Sequence, residues 1–307
     1  MSLRYDIIHR TTYSYASDVS VSHHLARLTP RALPGQRCLA YELAVEPNPS
    51  LCTHREDYFG NRATFFSVAS AHRSLTVVAR GRVELVPRAP LNPLQTPAWE
   101  TIRDFCRADI SSPSPEATEF LFASPLIRLL PELADYAKIS FTGARPILDA
   151  VLHLMARMHK DFQFDPRATT VATPLEQVIK NRRGVCQDFA HFMIGCLRTV
   201  GLPARYVSGY METLPPPGKP RLTGADASHA WVQIFIPPAT WIDVDPTNNL
   251  LPSDRHILLA WGRDFEDVSP IRGVIVGGGK HELKVGVDVI PVVENAGDGV
   301  ARQHADR

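Results

Sequence analysis

Apolar and less apolar positions alternate over residues 39–46. Leu39, Tyr41, Leu43 and Val45 interleave with Ala40, Glu42, Ala44 and Glu46. Leu75, Val77, Ala79, Val83 and Leu85 alternate in the same way with Thr76, Arg80, Arg82 and Glu84. A period of two turns one face to a core and the other to water, so both stretches predict strands. Leu3, Tyr5, Ile7 and His9 begin another, and Pro47-Asn48-Pro49 and Gly60-Asn61 punctuate as turns. The first ninety residues therefore predict a small antiparallel sheet or sandwich.

Pro87-Arg88-Ala89-Pro90-Leu91-Asn92-Pro93 is a stiff boundary, because proline fixes φ and removes donors. Beyond it the period lengthens. Trp99, Ile102, Phe105 and Cys106 fit one helix, Leu129, Leu133 and Tyr136 a second. Ser111-Ser112-Pro113-Ser114-Pro115 separates the two. Ile147, Val151, Leu154, Met155 and Met158 make an apolar stripe, which assigns both methionines to a core. Thr173-Pro174-Leu175-Glu176 predicts a helix start, with Thr173 as cap, Pro174 at the first position and Glu176 reaching back. That helix should end at Asn181–Gly184, with Gly184 free to take a positive φ. The next should open at about Cys186, bury Phe189, Met193, Cys196, Leu197 and Val200, and stop at Gly201 and Pro203. Strands are expected over 204–210, 230–236, 241–245, 271–276 and 283–290, with Gly277-Gly278-Gly279-Lys280 as a hairpin turn between the last two. Pro215–Pro220 reads as a surface excursion. The expected divisions are a β domain at 1–90, a helical connecting segment at 91–140, a core at 141–292 and a disordered tail at 293–307.

Composition narrows the chemistry. The 307 residues are 44% hydrophobic and 21% charged, with a formal net charge of +1. No global field recruits nucleic acid or an anionic membrane, so neither is an expected partner. Five cysteines are too few, too spread and too odd for a disulfide scaffold, and Cys38, Cys52, Cys106 and Cys196 read as small apolar filler. No CxxC pair or HExxH motif suggests a metal, and no cofactor is expected; His23, His24 and Arg27 lack ligand spacing. No apolar run follows the first basic residue, so no secretory signal is expected; no apolar run approaches a membrane span, and a reduced cytoplasm is the expected location.

Three residues offer a reaction. Cys186 opens a helix, where free amides and the macrodipole favour a thiolate. His229 opens a strand in Ser228-His229-Ala230-Trp231, and Asp245 ends another in Trp241-Ile242-Asp243-Val244-Asp245-Pro246-Thr247. A neighbouring imidazolium would favour the thiolate further, and a fixed carboxylate would select the imidazole's tautomer and orientation. The Cys186 amide is the natural first oxyanion donor, and Asn181 or Gln187 could contribute a second, although Gln187 reads as solvent-facing. Asp243 competes with Asp245, being two residues away on one strand face. Asp188 has a capping or ion-pairing role as its plainer reading, with Arg205 or Arg183 as partner. His191 reads as a locally bonded core histidine. Trp231 and Trp241 fit core or pocket wall, and Tyr206 and Tyr210 could line a cleft.

Gly184-Val185-Cys186-Gln187-Asp188-Phe189-Ala190-His191, Gly201–Tyr210, Ser228-His229-Ala230-Trp231-Val232 and Trp241–Asn248 closely resemble the core of bacterial transglutaminase-like proteins, often described as candidate cysteine proteases. Tyr13-Ser14-Tyr15, Leu28-Thr29-Pro30 and Asp57-Tyr58-Phe59-Gly60-Asn61 resemble the N-terminal β region that accompanies this core. The resemblance covers nearly the whole chain. It implies an α+β fold: a papain-like transglutaminase core, with the cysteine helix packed on an antiparallel sheet, preceded by a β-sandwich-like domain. It favours Asp245 over Asp243 as the orienting acid and implies no cofactor or metal. Asp188, Arg205, Trp231 and Tyr206 are candidate supporting residues. The expected function is a thiol protease or amidohydrolase acting on a peptide or protein through a thioester. Acyl transfer to an amine and a non-catalytic peptide- or partner-binding role are the alternatives. No acidic EF-hand-type calcium loop is visible. Substrate identity and oligomeric state are not readable from the sequence.

Overall fold

The computed structural model describes residues 2–87, 89, 91–108, 115–213, 228–237 and 240–292. The expected excursion at Pro215–Pro220 and the tail from residue 293 lie outside the described residues. In chain order come β1 (Leu3–Ala26), β2 (Gln36–Glu46), β3 (Leu51–Glu56), β4 (Arg62–Val68) and β5 (His72–Leu85). Helices α1 (Trp99–Ala108), α2 (Pro115–Thr118), α3 (Pro131–Lys138) and α4 (Ile147–Asp161) follow. Next are β6 (Gln163–Phe164), α5 (Leu175–Asn181), β7 (Arg183–Gly184) and α6 (Cys186–Thr199). Then come β8 (Ala204–Met211), β9 (Ser228–Ile236), β10 (Thr240–Val244), β11 (His256–Gly262), α7 (Phe265–Val268), β12 (Ile271–Gly277) and β13 (His281–Pro291).

β1 organises a seven-stranded antiparallel sheet. Along one edge it pairs with β5 and then β4; along the other it pairs with β13 and then β12. Its register breaks between Ser14 and Val19, and the facing turn is Gly277-Gly278-Gly279, with φ of 95°, 81° and 63°. These glycines bend one continuous ribbon along β1, so the turn is not the expected hairpin: β12 and β13 lie end to end on β1. A Cβ on Gly277 would come within 2.5 Å of the Asp18 carbonyl, which is why only glycine fits. The bend folds the sheet over itself. Tyr15, Leu75 and Val77 from one half then share a core with Ala26, Phe66 and Val68 from the other. Residues 271–291 thus complete the sheet of the first ninety residues instead of joining the core sheet expected over 141–292.

The second sheet runs β10-β9-β8-β11. Helix α6 lies on it, with Phe189, Met193, Ile194 and Leu197 against Ala204, Tyr206, Val232 and Ile234. The predicted stripe of α4, from Ile147 to Met158, is buried in the same cluster. Strand β11 is absent from the periodicity because Ile257, Leu258, Leu259 and Ala260 are all buried, leaving no alternation to read. The two sheets meet through Tyr5, Ile7, Val83, Val287 and Val289 against Tyr210, Ile257 and Leu259. There His9 Nδ1 lies 2.8 Å from the Tyr210 hydroxyl.

The outer edge of β11 is closed by side-chain amides. Gln36 Nε2 donates to the Leu258 carbonyl and its Oε1 accepts from the Leu258 N–H, both at 2.8 Å. Asn61 does the same for Trp261, at 2.8 and 3.0 Å. Each amide stands in for a strand neighbour, so no open ladder faces solvent at those positions.

Candidate active site

The turn before Cys186 is built from three local devices. Helix α5 ends at Arg182, whose φ of 50° is left-handed, so the reversal falls on Arg182 and not on Gly184. Gly184 is needed for a different reason: a Cβ there would lie 2.5 Å from Asp188 Oδ2. Asp188, in the first turn of α6, reaches back to accept from the Val185 N–H at 2.8 Å and from Thr169 Oγ1 at 2.6 Å. Val185 carries no side-chain acceptor, so the cap is one-sided. Burial pushes the Asp188 carboxyl upward, and the bonds from Thr169 and Val185 oppose it. The start of α5 also differs from expectation. Pro174 flanks its first turn, Thr173 Oγ1 accepts from the Thr170 N–H at 2.9 Å, and Glu176 pairs with Arg128 at 2.7 Å.

Cys186 is half-buried at the first position of α6, and its thiol is among the groups that favour the His229 cation. His229 Nε2 lies 2.8 Å from Asp245 Oδ2, which leaves Nδ1 to meet the thiol. His229 is only 9% exposed and Asp245 is fully buried. Burial disfavours the His229 cation, but the hydrogen bonds and charges of Asp245 and Cys186 override it and raise the imidazole to about 10. Burial also opposes the Asp245 carboxylate. Donors from His229, His256 and Asn248 outweigh that and hold it well below the usual carboxylate range. Oδ1 accepts from the Thr247 and Asn248 amides at 3.0 and 3.2 Å, and Asn248 Nδ2 donates to Oδ2 at 2.7 Å. The three residues named from local motifs are therefore brought together, by a helix start, a strand start and the turn after β10.

Asp243 does not face His229. Its Oδ1 accepts from Trp231 Nε1 at 2.8 Å and Gln233 Nε2 at 2.7 Å. Trp231 is buried and stacks with the His229 ring at 6.1 Å, so Asp243 fixes the wall beside the imidazole. Arg205 lies under Trp241 and Trp261, 4.0 and 3.6 Å from the ring centres, and donates to Gln233 Oε1 at 2.7 Å. It pairs with Gln233, not Asp188, and burial lowers it to about 9. Tyr206 is buried against His191 rather than lining a cleft. His191 accepts from the Phe265 N–H at 3.2 Å, and burial lowers it to about 4. Gln187, expected in solvent, is buried, and its side chain is directed toward the Val171 carbonyl. Gln187, Asp188 and His191 border a cavity of about 500 Å³ walled by Leu126, Val171 and Pro174.

His256 and Asn248 are the site residues to which sequence reasoning assigns no role. His256 Nε2 lies 3.0 Å from Asp245 Oδ2. Asn248 closes the Trp241–Asn248 motif, but nothing in its spacing points at the carboxylate. Ligand atoms of His229, Asp245 and His256 fall within 4.8 Å of one another. Both imidazoles aim at a single oxygen at hydrogen-bond distance, the arrangement of two donors on one acceptor rather than of ligands around a centre. All five cysteines are free thiols, with Cys52 exposed and Cys106 and Cys196 buried. No described helix is long and apolar enough to cross a membrane.

Residues 5–84 match the bacterial transglutaminase-like N-terminal region, and residues 135–246 match the transglutaminase-like superfamily core. An uncharacterized protein of Mycobacterium tuberculosis is 38% identical over 296 residues, spanning 94% of this chain and 93% of the relative. A protein-glutamine gamma-glutamyltransferase of Pseudomonas aeruginosa is 34% identical over 107 residues, 32% of this chain and 16% of that protein. The crystal structure of a candidate cysteine protease from Cytophaga hutchinsonii superposes with a TM-score of 0.74 at 20% identity, covering 96% of this chain and 92% of that one. The papain-like arrangement of helix on antiparallel sheet is thus shared, and the chain belongs to the transglutaminase-like superfamily, a family of cysteine-dependent enzymes, with the bacterial N-terminal region ahead of its core.

Proposed function

We propose that the protein is a cysteine-dependent amide or peptide hydrolase whose nucleophile, base and orienting acid are Cys186, His229 and Asp245. The observation that carries the reading is the imidazole of His229 held at 2.8 Å by a fully buried carboxylate, with that carboxylate and the Cys186 thiol both favouring its cation. The Cys186 thiolate attacks the acyl carbon, and the developing oxyanion is met by the free Cys186 amide at the helix start. His229 gives its Nδ1 proton to the leaving amine as the C–N bond breaks, leaving a thioester. His229 then takes a proton from water, which attacks the thioester, and the acid departs as the thiolate is restored. Asp245 remains ionised throughout and keeps Nε2 protonated. The cavity beside the first turn of α6 offers room for a side chain of a peptide or protein substrate.

The second reading is acyl transfer, favoured by the glutamyltransferase activity for which the Pseudomonas relative is named. Both reactions share the thioester and differ in the acceptor. Incubation with an unfolded protein in ¹⁸O-water, with and without methylamine, separates them. Hydrolysis places ¹⁸O in new carboxylates whether or not amine is present; transfer yields methylamide in its place. Absence of both products, with no acyl group trapped on Cys186, contradicts the enzymatic reading and leaves the fold as a binding module.

A further inference from the structure

Asp245 Oδ2 serves two imidazoles. His229 Nε2 approaches at 2.8 Å and His256 Nε2 at 3.0 Å, while Asn248 Nδ2 completes the set at 2.7 Å. We propose that His256 is a positioning residue for the reaction: by donating Nε2–H to Oδ2 it sets the carboxylate orientation that aims His229 at Cys186. The inference rests on the Cys186, His229 and Asp245 reading above.

The geometry assigns this role in three steps. Backbone amides of Thr247 and Asn248 pin Oδ1. The swing of Oδ2 about that anchor is then set by its own donors, and His256 approaches from β11, a different strand from that of His229. Trp231 couples the two imidazoles: its ring stacks with His229 at 6.1 Å and meets His256 edge-on at 5.2 Å. The other carboxylate beside Trp231 is Asp243, occupied by Trp231 and Gln233. His256 itself is nearly buried, its side chain 6% exposed. A donor held this firmly also helps a buried carboxylate remain ionised, since burial without donors favours the neutral acid.

The test uses the full chain and iodoacetamide, so no substrate is needed. Alkylation of Cys186 is followed by peptide mass spectrometry from pH 4 to 9 in wild type, His256→Phe and His256→Gln. The phenylalanine keeps ring volume and removes the donor; the glutamine keeps a donor at similar reach. Wild type should label at pH 6 much faster at Cys186 than at exposed Cys52. His256→Phe should label Cys186 about tenfold more slowly at pH 6, with its acid limb displaced to higher pH, and His256→Gln should recover to within about threefold of wild type. If wild-type Cys186 labels no faster than Cys52, the catalytic reading falls and this inference with it. If wild type is fast and His256→Phe matches its rate and profile, the inference alone is overturned; the same holds if His256→Gln is as slow as His256→Phe. Should His256→Phe fail to fold, imidazole ¹⁵N spectra of the wild type decide the matter: a proton on His256 Nε2 supports the donor role, and its absence overturns it.

Discussion

Asp245 decides how the site behaves as single residues are changed. Its carboxylate is fully buried and accepts five hydrogen bonds, so it is anion and anchor together. Asp245→Asn keeps the shape but puts an amide where His229 requires an acceptor. Turnover should fall by about 10³–10⁴-fold once a substrate is in hand, and Cys186 labelling at pH 6 should fall with it. Gly184→Ala acts through packing alone. The new Cβ would meet Asp188 Oδ2 at 2.5 Å and unseat the cap on the Val185 amide. We expect a loss of about 1–3 kcal/mol in urea unfolding together with slower Cys186 labelling; unchanged stability would contradict the packing account. At this scale the sequence discloses what lies inside short motifs. Cys186, His229 and Asp245 each sit at an element end that local pattern marks. His256 opens β11, but no local pattern marks that buried strand. The requirement at Gly184 looks conformational in sequence although it is steric.

Elements are legible where one face is wet. β2, β5 and α4 carry the periodicity that predicts them, whereas β11, buried on both faces, carries none. The Gly277–Gly279 turn looks like a hairpin because local chemistry states that a chain bends, not which strand it follows. The edge of β11 yields a prediction at this scale. Gln36→Ala would leave the Leu258 N–H without its acceptor, while the carbonyl keeps only the Arg31 N–H at 3.2 Å. Unfolding free energy should drop by about 2 kcal/mol or more, with a tendency to self-associate by size-exclusion chromatography. A leucine at position 36 should do no better, since volume is not what the edge lacks; full recovery by leucine would sink the edge-closure explanation.

In the whole molecule the first and last strands share one sheet, a fact no local pattern contains. A chain ended after residue 270 would strip β12 and β13 from β1 and expose the partners of Val287 and Val289 at the junction of the two sheets. It should be insoluble or unfolded by circular dichroism even though every catalytic candidate is retained. Stability against pH follows from buried histidines. Burial lowers His9, His24 and His191 to about 4 from 6.5. The unfolded chain therefore takes up more protons as pH falls from 6.5 toward 4, and stability is lost over that window. His229 is opposite in sign: raised to about 10, it contributes fully below 6.5 and loses that contribution as pH climbs toward 10. Asp245, held low, adds loss only below about 3.8. Thermal unfolding across pH should therefore show a maximum near 6.5 with a fall on either side, and a flat profile between 5 and 9 would contradict these environments.

The central claim is that Cys186 is the nucleophile served by His229, with Asp245 holding the imidazole from its other side. Time-resolved iodoacetamide labelling of the native chain at pH 6, read cysteine by cysteine, tests it most directly. The account predicts rapid modification of Cys186 while Cys52, although exposed, and buried Cys106 and Cys196 remain largely unmodified. A Cys186 rate equal to that of Cys52 would contradict it.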